Sequence, residues 1–172
     1  MIEESIRFVL ANDTLVLFLC WLAITLIRLL MRFRQLDTAL AVDIALSWFL
    51  FLNIGISFLY NFVIHAFYGD MVAHFIGWAP SPFQFEVATA SLGFGLVGVL
   101  AFKASLSFRC AAILGPSCFL LGAAAGHIKD MIVHHNFAPG NAGAVFYTDI
   151  VIPVVGLALL FLAARFDMPR SR

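Results

Sequence analysis

Three of the chain's five histidines, His127, His134 and His135, fall within nine consecutive positions. On a helix at 100° per residue, His127, Asp130 and His134 project within about 60° of one another, whereas Lys129 and His135 point elsewhere. A stripe of imidazole and carboxylate suits zinc or a non-haem metal. Neutral imidazole beside a carboxylate can equally accept and return a proton. No fixed ligand motif such as H-E-x-x-H accompanies it. Two further acids, Glu86 and Asp149, belong with this stripe by depth. Glu86 lies 17 residues from Lys103, His127 lies 18 from Arg109, and Asp149 lies 16 from Arg165. At 1.5 Å per residue each separation is about 24–27 Å of helix. Three helices therefore deliver an acid, a histidine and an acid to nearly one level.

The elements that must carry these residues are membrane spans. The 172 residues are 63% hydrophobic and only 12% charged, with a mean hydropathy of +1.01. Soluble domains run at roughly a quarter charged, and runs of about 20 apolar residues are the transmembrane signature. The sequence predicts an all-α fold: one integral membrane bundle of five transmembrane helices, filling residues 1–172, with spans of about 14–31, 38–66, 82–102, 110–135 and 146–164. Residues 2–10 place Ile2, Ile6 and Val9 on one face, as an N-terminal interfacial helix would. Asn12, Asp13 and Thr14 supply capping side chains before the first span.

The second span, about 43 Å long at 1.5 Å per residue, exceeds the roughly 30 Å hydrocarbon core. It must tilt, kink or protrude, and Asn53, Gly55 and Asn61 mark where. Residues 69–80, with Asp70 as a cap and Trp78 suited to the headgroup zone, predict an interfacial helix or re-entrant turn. Ser81, Pro82 and Gln84 spell a capping box, with Gln84 reaching back. Ala88, Ser91, Gly95 and Gly98 form one small-residue stripe, and Gly122 and Gly126 a second close-packing pair. Pro116 and Pro153 lie within the fourth and fifth spans.

Arg28, Arg32, Arg34, Lys103, Arg109, Arg165, Arg170 and Arg172 fall on one side of this arrangement; only Arg7 and Lys129 fall on the other. The positive-inside rule then makes a multi-pass inner-membrane protein with its N-terminus outside and its C-terminus in the cytoplasm. The start, M-I-E-E-S-I-R, lacks a positive n-region, so no signal peptide is expected. Cys20, Cys110 and Cys118 are scattered and odd in number, which argues against disulfide exchange. With no basic tract, nucleic acid is not an expected partner; the lipid bilayer is. The small-residue stripes serve equally for packing within the chain, between copies, or against a membrane-complex partner.

Charges at this depth cost roughly 2.5–3.5 kcal/mol at mid-membrane and less toward the interface, so they face a bundle interior and pair there. Three uses remain. One is structural capping and pairing, with Lys129 answering Asp130 or Glu86. Another is an outward-facing divalent-metal site from His127, Glu86, Asp149 and His134. The last is a proton, haem or quinone site; a b-type haem wants two histidines at one depth, and His65 and His127 meet that only if the second span tilts strongly.

The strings G-W-A-P-S-P-F-Q-F-E-V, S-L-G-F-G-L-V-G, G-H-I-K-D-M, N-F-A-P-G-N-A-G and Y-T-D-I-V-I-P resemble a family of bacterial and archaeal multi-pass membrane proteins of unknown function. The likeness covers roughly residues 54–153 and implies a membrane location without an assigned activity, cofactor or substrate. Glu86, His127, Asn136, Asn141, Tyr147 and Asp149 fall within the matching strings. More loosely, residues 69–102 are similar to DoxX-type membrane proteins, some of which are subunits of quinone-linked oxidoreductases. The leading expectation is a non-enzymatic or accessory membrane protein with an outward-facing pocket for a metal or small polar ligand. Glu86 and Asp149 are its expected anions and His127 its neutral ligand or proton acceptor; Asp130 shares the stripe, and Asn136 and Asn141 hold the loop. A quinone- or haem-using oxidoreductase subunit is the alternative.

Overall fold

The computed structural model describes residues 11–166. The interfacial helix expected over residues 2–10, with Arg7, and the terminal Arg170 and Arg172 lie outside the described residues. Regular structure among the described residues is helical throughout: α1 Asp13–Met31, α2 Thr38–Phe67, α3 Gly69–Ile76, α4 Phe83–Leu100, α5 Leu106–His134, α6 Pro139–Ala142 and α7 Ala144–Arg165. Five helical runs are long and apolar enough to cross a membrane: α1, α2, α4 with its continuation to Lys103, α5, and α6–α7. The bundle thus has an arginine end, with Arg32, Arg34 and Lys103 in its turns, and a histidine end, closed by α3 and α6.

Its interior is packed by side chains that lipid never touches. Leu46, Phe49, Leu50, Ile54 and Ile113 are fully buried, while Leu22, Leu26, Ile27 and Leu30 of α1 are exposed along its flank. Lipid tails are as apolar as these residues, so close van der Waals contact rather than water exclusion must hold the helices. The pairing of α2 with α4 and of α5 with α7 dominates the bundle. At the first of these crossings a Cβ on Gly98 would stand 2.5 Å from the Gly55 nitrogen, and one on Gly95 would stand 2.8 Å from Leu59. The stripe Ala88, Ser91, Gly95, Gly98 is accordingly buried. Gly122 and Gly126 differ from expectation: no atom lies within 4 Å of a Cβ placed on either, so that face of α5 has no neighbour among the described residues.

The long second span stays continuous by widening its coil. Leu50–Ile56 is π-helical and contains Asn53 and Gly55, two of the three positions expected to break it. The third, Asn61, sits in ordinary α-helix and donates to Ser91 Oγ of α4 at 2.9 Å. Two helix starts also differ from the sequence reading. Helix α5 begins at Leu106 rather than near Cys110, because Ser105 caps it by accepting from Phe108 N at 3.5 Å. Ser81 Oγ accepts from Phe83 N at 3.3 Å as a cap should, but Gln84 does not reach back. It turns across to His65 of α2, with Oε1 2.6 Å from Nδ1.

The earlier start of α5 draws Arg109 inside the bundle. It is 3% exposed, with Nε donating to Ala101 O at 3.1 Å, Nη1 to Asp43 at 2.7 Å, and Nη2 to Ser47 Oγ at 3.0 Å and Phe102 O at 2.7 Å. One guanidinium thus satisfies two carbonyls at the end of α4 and ties α2 to α5.

Candidate functional site

The last turns of α5 carry His127 into the interior, and the first turns of α7 carry Thr148 and Asp149 to meet it. Asn141 of the short α6 is fully buried between them. Its Nδ2 donates to Asn136 O at 2.8 Å and to His127 O at 3.4 Å, so its Oδ1 is the acceptor facing His127 Nδ1 at 2.7 Å. Nδ1 must therefore carry a proton, and in the neutral ring the lone pair belongs to Nε2. That atom points at Asp149 Oδ2 across 3.7 Å, beyond the range of a direct hydrogen bond. Asp149 is 4% exposed, and its carboxylate makes no hydrogen bond within the described residues.

A second acid adjoins it. Asp13 opens α1, next to Thr14, as Asp149 stands next to Thr148 on α7. The residues next to these acids are clasped, since Thr14 Oγ1 and Thr148 Oγ1 are 2.8 Å apart. The Thr148 hydroxyl proton is directed to the carbonyls of Ala144 and Val145, at 3.0 and 2.9 Å, which makes Thr14 the donor across the gap. The clasp brings α1 and α7 together one residue from each aspartate.

The other face of His127 is covered by Trp78, stacked at 5.8 Å with 22° between the planes. The same indole donates from Nε1 to Asp130 Oδ2 at 2.9 Å. Asp130 Oδ2 also accepts from Asn136 Nδ2 at 2.6 Å, and Oδ1 lies 2.6 Å from His134 Nδ1. Asn136 reaches this position because α5 ends at His135 in the left-handed region, φ 53°. From there its Nδ2 also donates to Ile76 O at 2.9 Å. Gly77, at φ 86°, has no room for a side chain, since a Cβ would stand 2.7 Å from Asn136 Oδ1.

The expected residues thus separate into groups. His127, Asn141 and Asp149 come together inside the bundle; Asp130, Asn136 and His134 form an adjoining network at its surface, joined to the first by Trp78. Glu86 lies apart from both groups, on an exposed face of α4. Tyr147 also lies apart, being 63% exposed with its ring against Phe146 at 5.2 Å. Lys129 is exposed and pairs with neither Asp130 nor Glu86. Among the described residues no group of three or more His, Cys, Asp or Glu is arranged to hold a metal ion. The expected set of His127, Glu86, Asp149 and His134 is therefore not assembled, because Glu86 faces outward and His134 is held at the surface by Asp130. His65, bonded to Gln84, instead lines an open cleft of about 360 Å³ with Tyr68, Asp70 and Ser81. Trp78 and the Thr14–Thr148 clasp escaped the sequence reading. Trp78 carried an interfacial signal that says nothing of a partner, and threonines inside spans carry none.

This fold and site define a class: a helical bundle of membrane-crossing runs with a buried, polar histidine end. Over residues 11–168 the chain matches a family of unknown function, DUF6790. It belongs to that family. No curated protein and no solved structure matches it.

Proposed function

We propose that this is a multi-pass protein of the cell inner membrane, accessory rather than enzymatic, that holds a small polar ligand between His127 and Asp149 on the outward side. The carrying observation is the buried Asp149 carboxyl group, 3.7 Å from Nε2 and without a hydrogen bond among the described residues. Buried polar groups are ordinarily hydrogen-bonded, and a ligand seated there would satisfy both. Asn141 and Trp78 fix the imidazole from its other sides, as a preformed site requires. The orientation rests on the basic residues gathered at the arginine end.

The oxidoreductase-subunit alternative, which the DoxX likeness suggests, has no observation in its favour. The ring nitrogens of His127 face Asn141 and Asp149, and His65 is engaged by Gln84, which leaves no two imidazoles committed to one iron.

The test uses the full chain in detergent with ¹⁵N-labelled histidine. His127 should show the Nδ1-protonated tautomer, and at least one solute among methylammonium, acetate and glycerol should move its Nε2 resonance saturably. His127→Gln should abolish the effect while the protein still unfolds cooperatively. If no solute moves Nε2, the ligand reading is lost. Orientation is checked with a membrane-impermeant maleimide on intact cells, which should label a cysteine at position 136 and spare one at 105.

A further inference from the structure

Resting on that reading, we infer that the ligand is a small cation bearing N–H donors, of the ammonium or primary-amine class. The interior of the histidine end presents acceptors around His127 and Asp149. Asp149 from α7 offers both carboxyl oxygens, Asp13 from α1 stands one residue from the Thr14–Thr148 clasp that adjoins Asp149, and His127 of α5 turns its Nε2 lone pair inward. The Asn141, Thr148 and Thr14 donors beside them are used within the chain. Asn141 Nδ2 is used on two carbonyls, Thr148 on its own helix, and Thr14 on Thr148. Among the described residues the lysines and arginines do not reach in: Lys129, the one at this end, is exposed, and His134 is held at the surface by Asp130. An anion would meet the acid Asp149 there with no described lysine or arginine to answer its charge. A divalent metal would want three or more ligands, and no such group is assembled among the described residues.

Asn53 supplies an independent observation. It is fully buried on the π-helical segment, and among the described residues neither its Oδ1 nor its Nδ2 has a partner. Its depth follows from the Phe49 ring, which would lie 3.0 Å from a Cβ on Gly156 and so marks a common level on α2 and α7. From there toward the histidine end Asn53 is four residues on and Asp149 seven, so their depths differ by only about 5 Å. An amide with no hydrogen bond among the described residues thus lies at nearly the level of the Asp149 carboxyl group, where its Oδ1 can accept and its Nδ2 can donate. A tetrahedral ammonium head matches acceptors arriving from several helices, and each charge-assisted bond it makes is stronger than a neutral one.

The full chain in detergent would be titrated at fixed ionic strength with methylammonium chloride, sodium chloride, tetramethylammonium chloride or sodium acetate. His127 Nε2 shifts and the thermal midpoint are the readouts. Methylammonium should shift Nε2 saturably and raise the midpoint, and the other three should not. Asp149→Asn should weaken the effect by at least about tenfold, the loss of one charge-assisted hydrogen bond. Asp13→Asn, at a partly exposed helix start, carries the same expectation if Asp149→Asn does not fold; Glu86→Gln should leave the effect unchanged. A response to acetate but not to methylammonium would overturn the cationic inference and leave the pocket standing. An equal response to tetramethylammonium or sodium would overturn the N–H requirement. Silence from every solute would remove both.

Discussion

At Asn141 one amide does two things at once: it grips the carbonyls of Asn136 and His127, and it decides which imidazole nitrogen carries the proton. Leucine is close to asparagine in shape but can do neither. Asn141→Leu should lose about 1–3 kcal/mol of stability through buried groups left unpaired. It should also turn the single Nδ1-H pattern of His127 into a tautomer mixture, read from the ¹⁵N shifts. Conservative change at exposed Tyr147 or Glu86 should do neither. This contrast marks what the sequence could yield at this scale. Counting back from Lys103, Arg109 and Arg165 gave the depth of Glu86, His127 and Asp149 on one footing. Depth carries no azimuth, however, so two of the three face inward and Glu86 faces out. Spacing within one helix does encode direction, and His134 Nδ1 meets Asp130 Oδ1 at 2.6 Å, yet His127 turns into the interior and leaves the expected stripe divided.

Helix α4 and helix α5 both advertise small residues, and only one of them uses those residues against another helix of this chain. The α2–α4 crossing depends on Gly55 and Gly98 approaching backbone to backbone. Gly98→Ala should therefore destabilise the bundle by about 1–3 kcal/mol through overpacking. Gly93→Ala, with no atom within 4 Å of its added Cβ, should change stability by less than about 0.5 kcal/mol. Unfolding in graded denaturing detergent compares the two directly. The break expected near Asn53 and Gly55 was readable because a 43 Å run (about 1.5 Å per residue) must yield somewhere. Its form as a π-helical segment was not, because that depends on packing against α1, α4 and α5, which are remote in sequence. Gln84 shows the same limit, its local capping role losing to His65 on a helix that sequence spacing cannot place beside it.

Three of the five runs, α2, α4 and α5, are joined at the arginine end by a buried guanidinium as well as by contact. Asp43 is 44% exposed at its side chain, so the charge pair itself is partly screened. Arg109 also bonds the Ala101 and Phe102 carbonyls and Ser47; Ala101 O would keep the Ala104 amide, while Phe102 O and Ser47 would lose the bond that Arg109 supplies. Arg109→Ala should thus cost about 3 kcal/mol or more. Arg109→Lys should recover only part of that, a point charge being unable to reproduce the fork. Chevron or steady-state unfolding of the three proteins measures it. The count of basic residues took Arg109 as a flanking charge. Positive-inside bias registers which side a cation occupies, and it is blind to whether that cation is in solvent or forms the keystone between α2, α4 and α5.

Trp78 leaves one more consequence. The chain has three tryptophans; Trp21 and Trp48 pack among phenylalanines, and only Trp78 lies over an imidazole. A charged imidazolium quenches indole emission far more than a neutral ring does. With Trp21 and Trp48 replaced by phenylalanine, the remaining fluorescence would brighten or dim as His127 loses or gains its second proton. The protein so carries an optical gauge of its own most interesting side chain, readable in a native membrane without any label.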